Sequence, residues 1–350
     1  MKKNGMAILL ISLGALHLAV LAAGFLSPYD VAEQDRQFPF APPTRVHFID
    51  AEGTVHWRPF ICLLAEDAAQ FGVYHEDMQK CFPVRFLVQG TPYKLGLVFA
   101  SRQHLLGVDP PARLFLMGTD GYGRDLFSRF LHGGQISLAA GLVATLLSLG
   151  LGMLLGTASG FYGGWLDAAV MRFGELFIAL PWLYLLFALR AFLPLNINPS
   201  QAFLLLIAVI GSVGWARPAR LIRGVVLSGK ERHYVLAARI FGGSSLYLMR
   251  RHILPQTYSI ILTQAVLLIP QYILAEVTLS FLGLGVGEPV PSWGNMLASL
   301  QQYHVMVSYW WMLLPGVALV PVFLGYVLLA NTLQTRAILR LQYACGDDAG

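Results

Sequence analysis

Charge is scarce in this sequence. Asp, Glu, Lys and Arg make up 12% of its 350 residues, where an ordinary soluble domain carries about a quarter. That shortage argues against a freely soluble protein and for one integral to a membrane. Cysteine is scarce as well: Cys62, Cys81 and Cys345 show no CxxC spacing, so neither a zinc motif nor a redox motif is indicated. The chain has no GxxxxGK[ST] phosphate loop and is not expected to hydrolyse ATP or to bind a cofactor. Catalytic side chains do not cluster at one depth of its apolar runs, which sets aside a membrane-embedded enzyme. The net charge of +5 does not suggest nucleic acid, because the bases gather in one short stretch between apolar runs.

What the chain has in abundance is apolar sequence. A bilayer core of about 30 Å needs roughly 20 helical residues per span. Six segments answer to this, at about 7–26, 137–159, 168–192, 201–217, 258–284 and 309–332. The first could serve as a signal peptide, but its apolar stretch exceeds the usual length, about 7–15 residues, and reads as a retained span. Between spans four and five stand Arg217, Arg220, Arg223, Lys230, Arg232, Arg239, Arg250 and Arg251 against a single acid, Glu231. Short basic loops stay inside. With Lys2, Lys3, Arg336 and Arg340 on the same side, this places both termini in the cytoplasm. The expected fold is an all-α polytopic membrane protein with a cytoplasmic elbow and a small mixed α/β extracytoplasmic insertion. Its parts would be a tail and first span at 1–26, the insertion at 27–116, a core at 117–340 with a loop at 218–257, and a cytoplasmic tail at 341–350.

Within the insertion, Arg45 to Phe60 reads as a hairpin turning at Ala51–Gly53, with Gly53 in the left-handed position. That register sets His47 opposite Trp57 and His56 opposite Phe48, on different faces, so no metal site is expected. FPVRFLVQG and YKLGLVFA add two strand-like runs. Cys62 and Cys81 share this oxidising compartment, where a disulfide is one option and two separately buried thiols the other.

Some residues do more than span. Gly152, Gly156 and Gly160 lie along one helix face and admit another backbone closely, within the subunit or at an interface. Pro181, Pro270, Pro315 and Pro321 interrupt other spans. Arg172 and Glu175 can pair at three-residue spacing. Glu276 has no base near it in sequence, so it should face protein or water and is a pathway or gating candidate. Asp120, Gly123, Arg124 and Asp125 fall in a turn-rich segment as an outer scaffold with local ion pairs, and Trp293 reads as an interfacial anchor.

The most informative stretch is Tyr234 to Pro255. Glu231 to Phe241 suits a helix with Ala237 and Ala238 on an approachable surface, Gly242-Gly243 ends it, and Ser244 or Ser245 can cap a second short helix that Pro255 ends. The product is an elbow. A lipid-bound surface helix would account for the arginines but not for the paired glycines.

These residues resemble the coupling-loop motif of ABC importer permeases: Glu-Ala-Ala, three residues, Gly, nine residues, then an Ile-x-Leu-Pro-like end. Ala237, Ala238, Gly242, Leu254 and Pro255 match in spacing; Leu236 replaces the glutamate and His252 the isoleucine. Met117 to Leu138, MGTDGYGRDLFSRFLHGGQISL, and Glu276 to Leu297, EVTLSFLGLGVGEPVPSWGNML, are similar to the dipeptide/oligopeptide/nickel permease family, C-type subunit. The resemblance implies a non-catalytic permease in a bacterial inner membrane, importing peptides, with nickel chelates or oligosaccharides as alternatives. It implies ABC ATPase partners, with ATP and magnesium bound there, docked at Ala237, Ala238, Gly242, Gly243, Leu254 and Pro255. A second homologous permease and an extracytoplasmic solute-binding protein complete the set. An ion-driven secondary transporter is the rival class; it predicts paired intramembrane carboxylates, and Glu276 stands alone.

Overall fold

The computed structural model describes residues 3–50, 52–67, 72–95, 99–192 and 198–346. Lys2, Ala51 of the expected turn, 96–98 of the second strand-like run and the end of the 341–350 tail lie outside them. Helix α1 (Lys3–Leu21) and the short α2 (Ala23–Leu26) precede strands β1 (His47–Ile49), β2 (Val55–Glu66), β3 (Tyr74–Pro83), β4 (Arg85–Leu95) and β5 (Phe99–Gly107). Then come α3 (Leu126–Tyr162), α4 (Gly164–Ala179), α5 (Trp182–Ala191), α6 (Pro199–Gly214), α7 (Ala216–Lys230), α8 (His233–Ile240) and α9 (Ser245–Leu248). A π-helical turn (Met249–Ile253) leads into α10 (Leu254–Phe281), followed by α11 (Trp293–Ala298), α12 (Tyr303–Ser308) and α13 (Leu314–Gly346).

Among the described residues three helices are long and apolar enough to cross a bilayer: Leu126–Tyr162, Ser245–Phe281 and Trp310–Thr335. Counting each of two bent pairs as one span makes five, against the six expected. The 168–192 run is two helices, α4 and α5, meeting at 96° across Leu180 and Pro181, where proline removes a helical donor. The pair α6 and α7 bends by 42°. Pro218 sits one turn into α7 and cannot donate to the carbonyl of Gly214, which accounts for the bend. The expected first span divides after Leu21, and α1 before that point runs for 19 residues.

The chain divides into two compact units. One comprises Met1–Leu10, Leu138–Leu279 and Pro321–Gly350. In it the glycine face of α3 receives α7: a Cβ on Gly152 would meet Pro218, one on Gly156 would meet the Ala219 carbonyl oxygen at 2.5 Å, and one on Gly160 would meet the side chain of Val226. The four-residue glycine spacing thus serves packing inside the subunit. Much of the expected basic loop is helical: α7 buries Ala216, Pro218, Ala219, Ile222 and Val226 and turns two arginines to α4. Arg223 pairs with Asp167 at 2.5 Å, and Arg220 lies 3.5 Å from Glu175, which also pairs with Arg172 at 3.1 Å.

The other unit comprises Ile11–Ser137 and Ser280–Val320. Its sheets are antiparallel, one ordered β1-β2-β3 and one pairing β4 with β5. Strand β3 was not anticipated, being polar and only weakly alternating. Gly53 takes φ 82° at the hairpin turn, and Ile49 faces Val55. An irregularity between His47 and Ile49 then sets His47 opposite Phe60, not Trp57. The histidines have separate partners, His47 with Glu76 and His56 with Asp50, each at 2.9 Å. Cys62 faces Cys81 across β2 and β3, and their sulfurs are bonded. Ile61 of β2 packs with Val84, Ala112 and Leu114 in a buried apolar cluster.

Candidate functional site

The elbow is built by a helix ending and a helix beginning. At the end of α8, Gly242 takes φ +85°, a conformation that L side chains resist. The amide of Gly242 donates to the Arg239 carbonyl at 3.1 Å and that of Gly243 to the Ala238 carbonyl at 2.9 Å. This is the double closure of a Schellman end. Ser244 then caps α9, accepting from the Tyr247 amide at 3.3 Å. Expectation and structure part at Pro255, which does not end the second helix. The helix runs on from Ser245 to Phe281 through the π turn, where the Leu254 amide donates to the Met249 carbonyl. The widened turn makes room for a ring that would otherwise strike the carbonyl four residues back.

Val235 and Leu248 are buried and hold the two arms. The arms are also tied by side chains whose role sequence spacing does not disclose. The Gln256 amide donates to the Tyr234 hydroxyl at 2.7 Å, and His252 lies 5.9 Å from the ring of Tyr234 and 5.6 Å from that of Tyr247. Outward stand Leu236, Ile240, Phe241 and Leu246, with Ile240 83% and Phe241 90% exposed. Ala237 and Gly242 are exposed beside them, Ala238 and Gly243 half-buried; Leu254 is half-buried and Pro255 exposed. Arg232, Arg239, Arg250 and Arg251 are exposed on the same segment. The segment thus sets an apolar cluster among exposed charges, the composition of a protein- or membrane-facing surface.

A second constellation lies in the other unit. The Asp120 carboxylate accepts from the Tyr122 and Arg124 amides at 2.9 and 3.1 Å and from Arg124 Nε at 2.7 Å. The remaining Arg124 nitrogens donate to Glu288 at 2.7 and 3.3 Å, and Arg129 Nη2 donates to the same carboxylate at 2.9 and 3.1 Å. Nearby Asp120 and Glu288 hold the Arg124 guanidinium above its ordinary pKa against the opposing effect of burial. Arg129 and Glu288 escaped the sequence reading. Both stand in the stretches quoted above, but 159 residues separate them. Among the described residues Asp125 forms no ion pair. It caps α3, accepting from the Ser128 amide at 2.8 Å and hydroxyl at 2.6 Å, and burial pushes its pKa up to about 6. Gly123 is required where it stands, since a Cβ would collide with the Asp35 carbonyl. Trp293 is no interfacial anchor. It is fully buried, stacked on Phe130, and donates to the Phe130 carbonyl at 3.0 Å. Glu276 is fully buried within α10.

Residues 148–339, more than half of the chain, match the family described as binding-protein-dependent transport system inner membrane component. The dipeptide transport system permease protein of Bacillus subtilis (strain 168) is 36% identical over 204 residues, 58% of this chain and 62% of that protein. A putative peptide permease protein of Brucella suis biovar 1 is 39% identical over 204 residues, 58% and 66% of the two chains. The oligopeptide transport system permease protein of Bacillus subtilis is 39% identical over 197 residues, 56% and 63%. In each case the similarity spans less than two thirds of the relative's length. With apolar helices of spanning length and more than half of its residues matched, the chain belongs to the binding-protein-dependent transport system inner membrane components.

Proposed function

We propose that this chain is the permease subunit of an ATP-driven ABC importer for peptides, forming half of the translocation pathway in a bacterial inner membrane. The observation that carries the reading is the elbow. Its apolar residues project outward on a framework of Val235, Leu248 and the Schellman turn, which has no use in anchoring a span. Cytoplasmic ABC ATPase subunits, binding ATP and magnesium, would cover it at Ala237, Ala238, Gly242, Gly243, Leu254 and Pro255. A second homologous permease would complete the pathway, and a solute-binding protein would deliver substrate from outside.

In this reading α1 is the first of six spans. At 19 residues and 1.5 Å per residue it is about 28 Å long, near the thickness of the bilayer core. Both termini face the cytoplasm and 27–116 lies outside, where the Cys62–Cys81 bond is chemically at home. Asp120, Gly123, Arg124 and Asp125 hold the outer segment in place, and Glu276 is the gating candidate of α10. Peptide is favoured over nickel chelate or oligosaccharide because the relatives are named for peptides.

The test is uptake of a labelled peptide by vesicles carrying the assembled complex. Uptake should need ATP and should be lost in Ile240→Asp/Phe241→Asp while the chain keeps its unfolding temperature. Uptake driven by an ion gradient without the ATPase would contradict the proposal.

A further inference from the structure

In the Arg124–Arg129–Glu288 cluster the cations and their carboxylate differ sharply in exposure. The guanidiniums are buried, Arg129 to 1% exposure, yet the carboxylate that neutralises them is 49% exposed. Removing two cations from water is costly unless anions accompany them. Asp120 supplies one anion from within the segment. The other comes from Glu288, on the connection between α10 and α11. Beside these charges is a cavity of 490 Å³, within the range of roughly 300–1,000 Å³ typical of small-ligand sites. Its apolar wall includes Met296, Val305 and Met312, and Glu288, Arg124 and Arg129 line it as well. Tyr122 covers the Arg124 guanidinium at 4.7 Å.

We infer that this cavity is a carboxylate-binding site in which Glu288 is the built-in occupant, displaced by the free carboxylate of a small ligand. A guanidinium fork does not distinguish a glutamate from any other carboxylate presented in its plane. When Glu288 swings outward, two arginines face Asp120 alone, and the surplus positive charge selects an anion. A ligand carboxylate then takes the four bonds that Glu288 gives up, and its adjoining apolar group lies on Met296, Val305 and Met312. A site of this kind would favour peptides with a free C-terminal carboxylate or an acidic side chain. The inference rests on the importer reading for its biological sense, although its chemistry does not.

The experiment measures binding of fluorescent tripeptides to the full chain in lipid nanodiscs, without ATP. The probes are trialanine, trialanine amide and Ala-Glu-Ala amide. Trialanine should bind at least tenfold more tightly than its amide, and Glu288→Gln should tighten trialanine by about tenfold while leaving the amide unchanged. Equal affinity for acid and amide probes, in wild type and in Glu288→Gln, would overturn the inference. Binding of Ala-Glu-Ala amide in place of trialanine supports it with a side-chain carboxylate as the ligand group. Should Glu288→Gln be too unstable to assay, its unfolding temperature serves instead: trialanine should restore it, and restoration by trialanine amide to the same extent contradicts the site. Acid-selective binding without ATP-driven uptake would leave this site standing and remove the transport proposal; uptake without acid-selective binding would do the reverse.

Discussion

The Gly243 amide donates to the Ala238 carbonyl at 2.9 Å, a reach of five residues that closes α8 and sets the angle at which the second arm departs. The closure depends on Gly242 at φ +85°. A β-branched side chain there should cost about 1–2 kcal/mol, although a Cβ would meet nothing within 4 Å. Gly242→Val is therefore expected to weaken ATPase association several-fold and leave the unfolding temperature of the spans nearly unchanged. Pull-down of the ATPase with the detergent-solubilised chain measures the first, and thermal unfolding the second.

Helix α3 offers a paired test of close packing. Gly156→Ala would set a methyl 2.5 Å from the Ala219 carbonyl oxygen, whereas Gly150→Ala meets nothing within 4 Å. The first should destabilise by about 1–3 kcal/mol. The second should be neutral or stabilising by up to roughly 1 kcal/mol through helix propensity. Unfolding temperatures of the two variants, compared in one detergent, decide the matter.

Asp125 should impose a pH dependence of known sign. Burial raises its carboxyl from 3.8 to about 6, and one oxygen, Oδ1, lacks a hydrogen-bond partner among the described residues. The folded state therefore holds this proton more tightly than the unfolded state does, and stability falls as pH rises between those values. The interval corresponds to roughly 3 kcal/mol at most. Asp125→Asn, which can still cap α3, should gain stability over wild type as pH climbs from 4 to 7. A Tm difference that does not vary with pH would count against the assignment.

Across β2 and β3, Cys62 and Cys81 close a loop with a sequence separation of 19. Chain entropy alone makes such a link worth about 3 kcal/mol. Cys62→Ser/Cys81→Ser should leave the spans folded and render 27–116 sensitive to limited trypsin, as a reducing agent should on the wild type. Persistent resistance in both would show that the sheet does not need the bond.

Legibility followed the range of the physics involved. The long apolar runs and the glycine-serine elbow announce themselves over a few adjacent residues, because spanning length and helix ending are local demands. Glu288 meeting Arg129 could not be read, since the pair forms only after the intervening chain has folded. Trp293 carried the local signs of an interfacial residue beside Pro291 and Gly294, yet Phe130 and its carbonyl supply a buried seat. The irregularity that shifts His47 to Phe60 and the π turn that carries the helix past Pro255 are one-residue adjustments that hydrophobic periodicity does not encode. His252, visible only as a departure from a family motif, acquires a role once Tyr234 and Tyr247 are brought to its ring.

The most direct test of the elbow as the docking point is site-specific photo-crosslinking in the assembled complex. Benzoylphenylalanine would replace Phe241 or Ile240 in turn, with Trp57 of the hairpin as the control position. The elbow positions should crosslink to the ATPase subunit, with a yield that changes on adding ATP, and Trp57 should not. Crosslinks from Phe241 and Ile240 to lipid alone, with the ATPase present and active, would contradict the account.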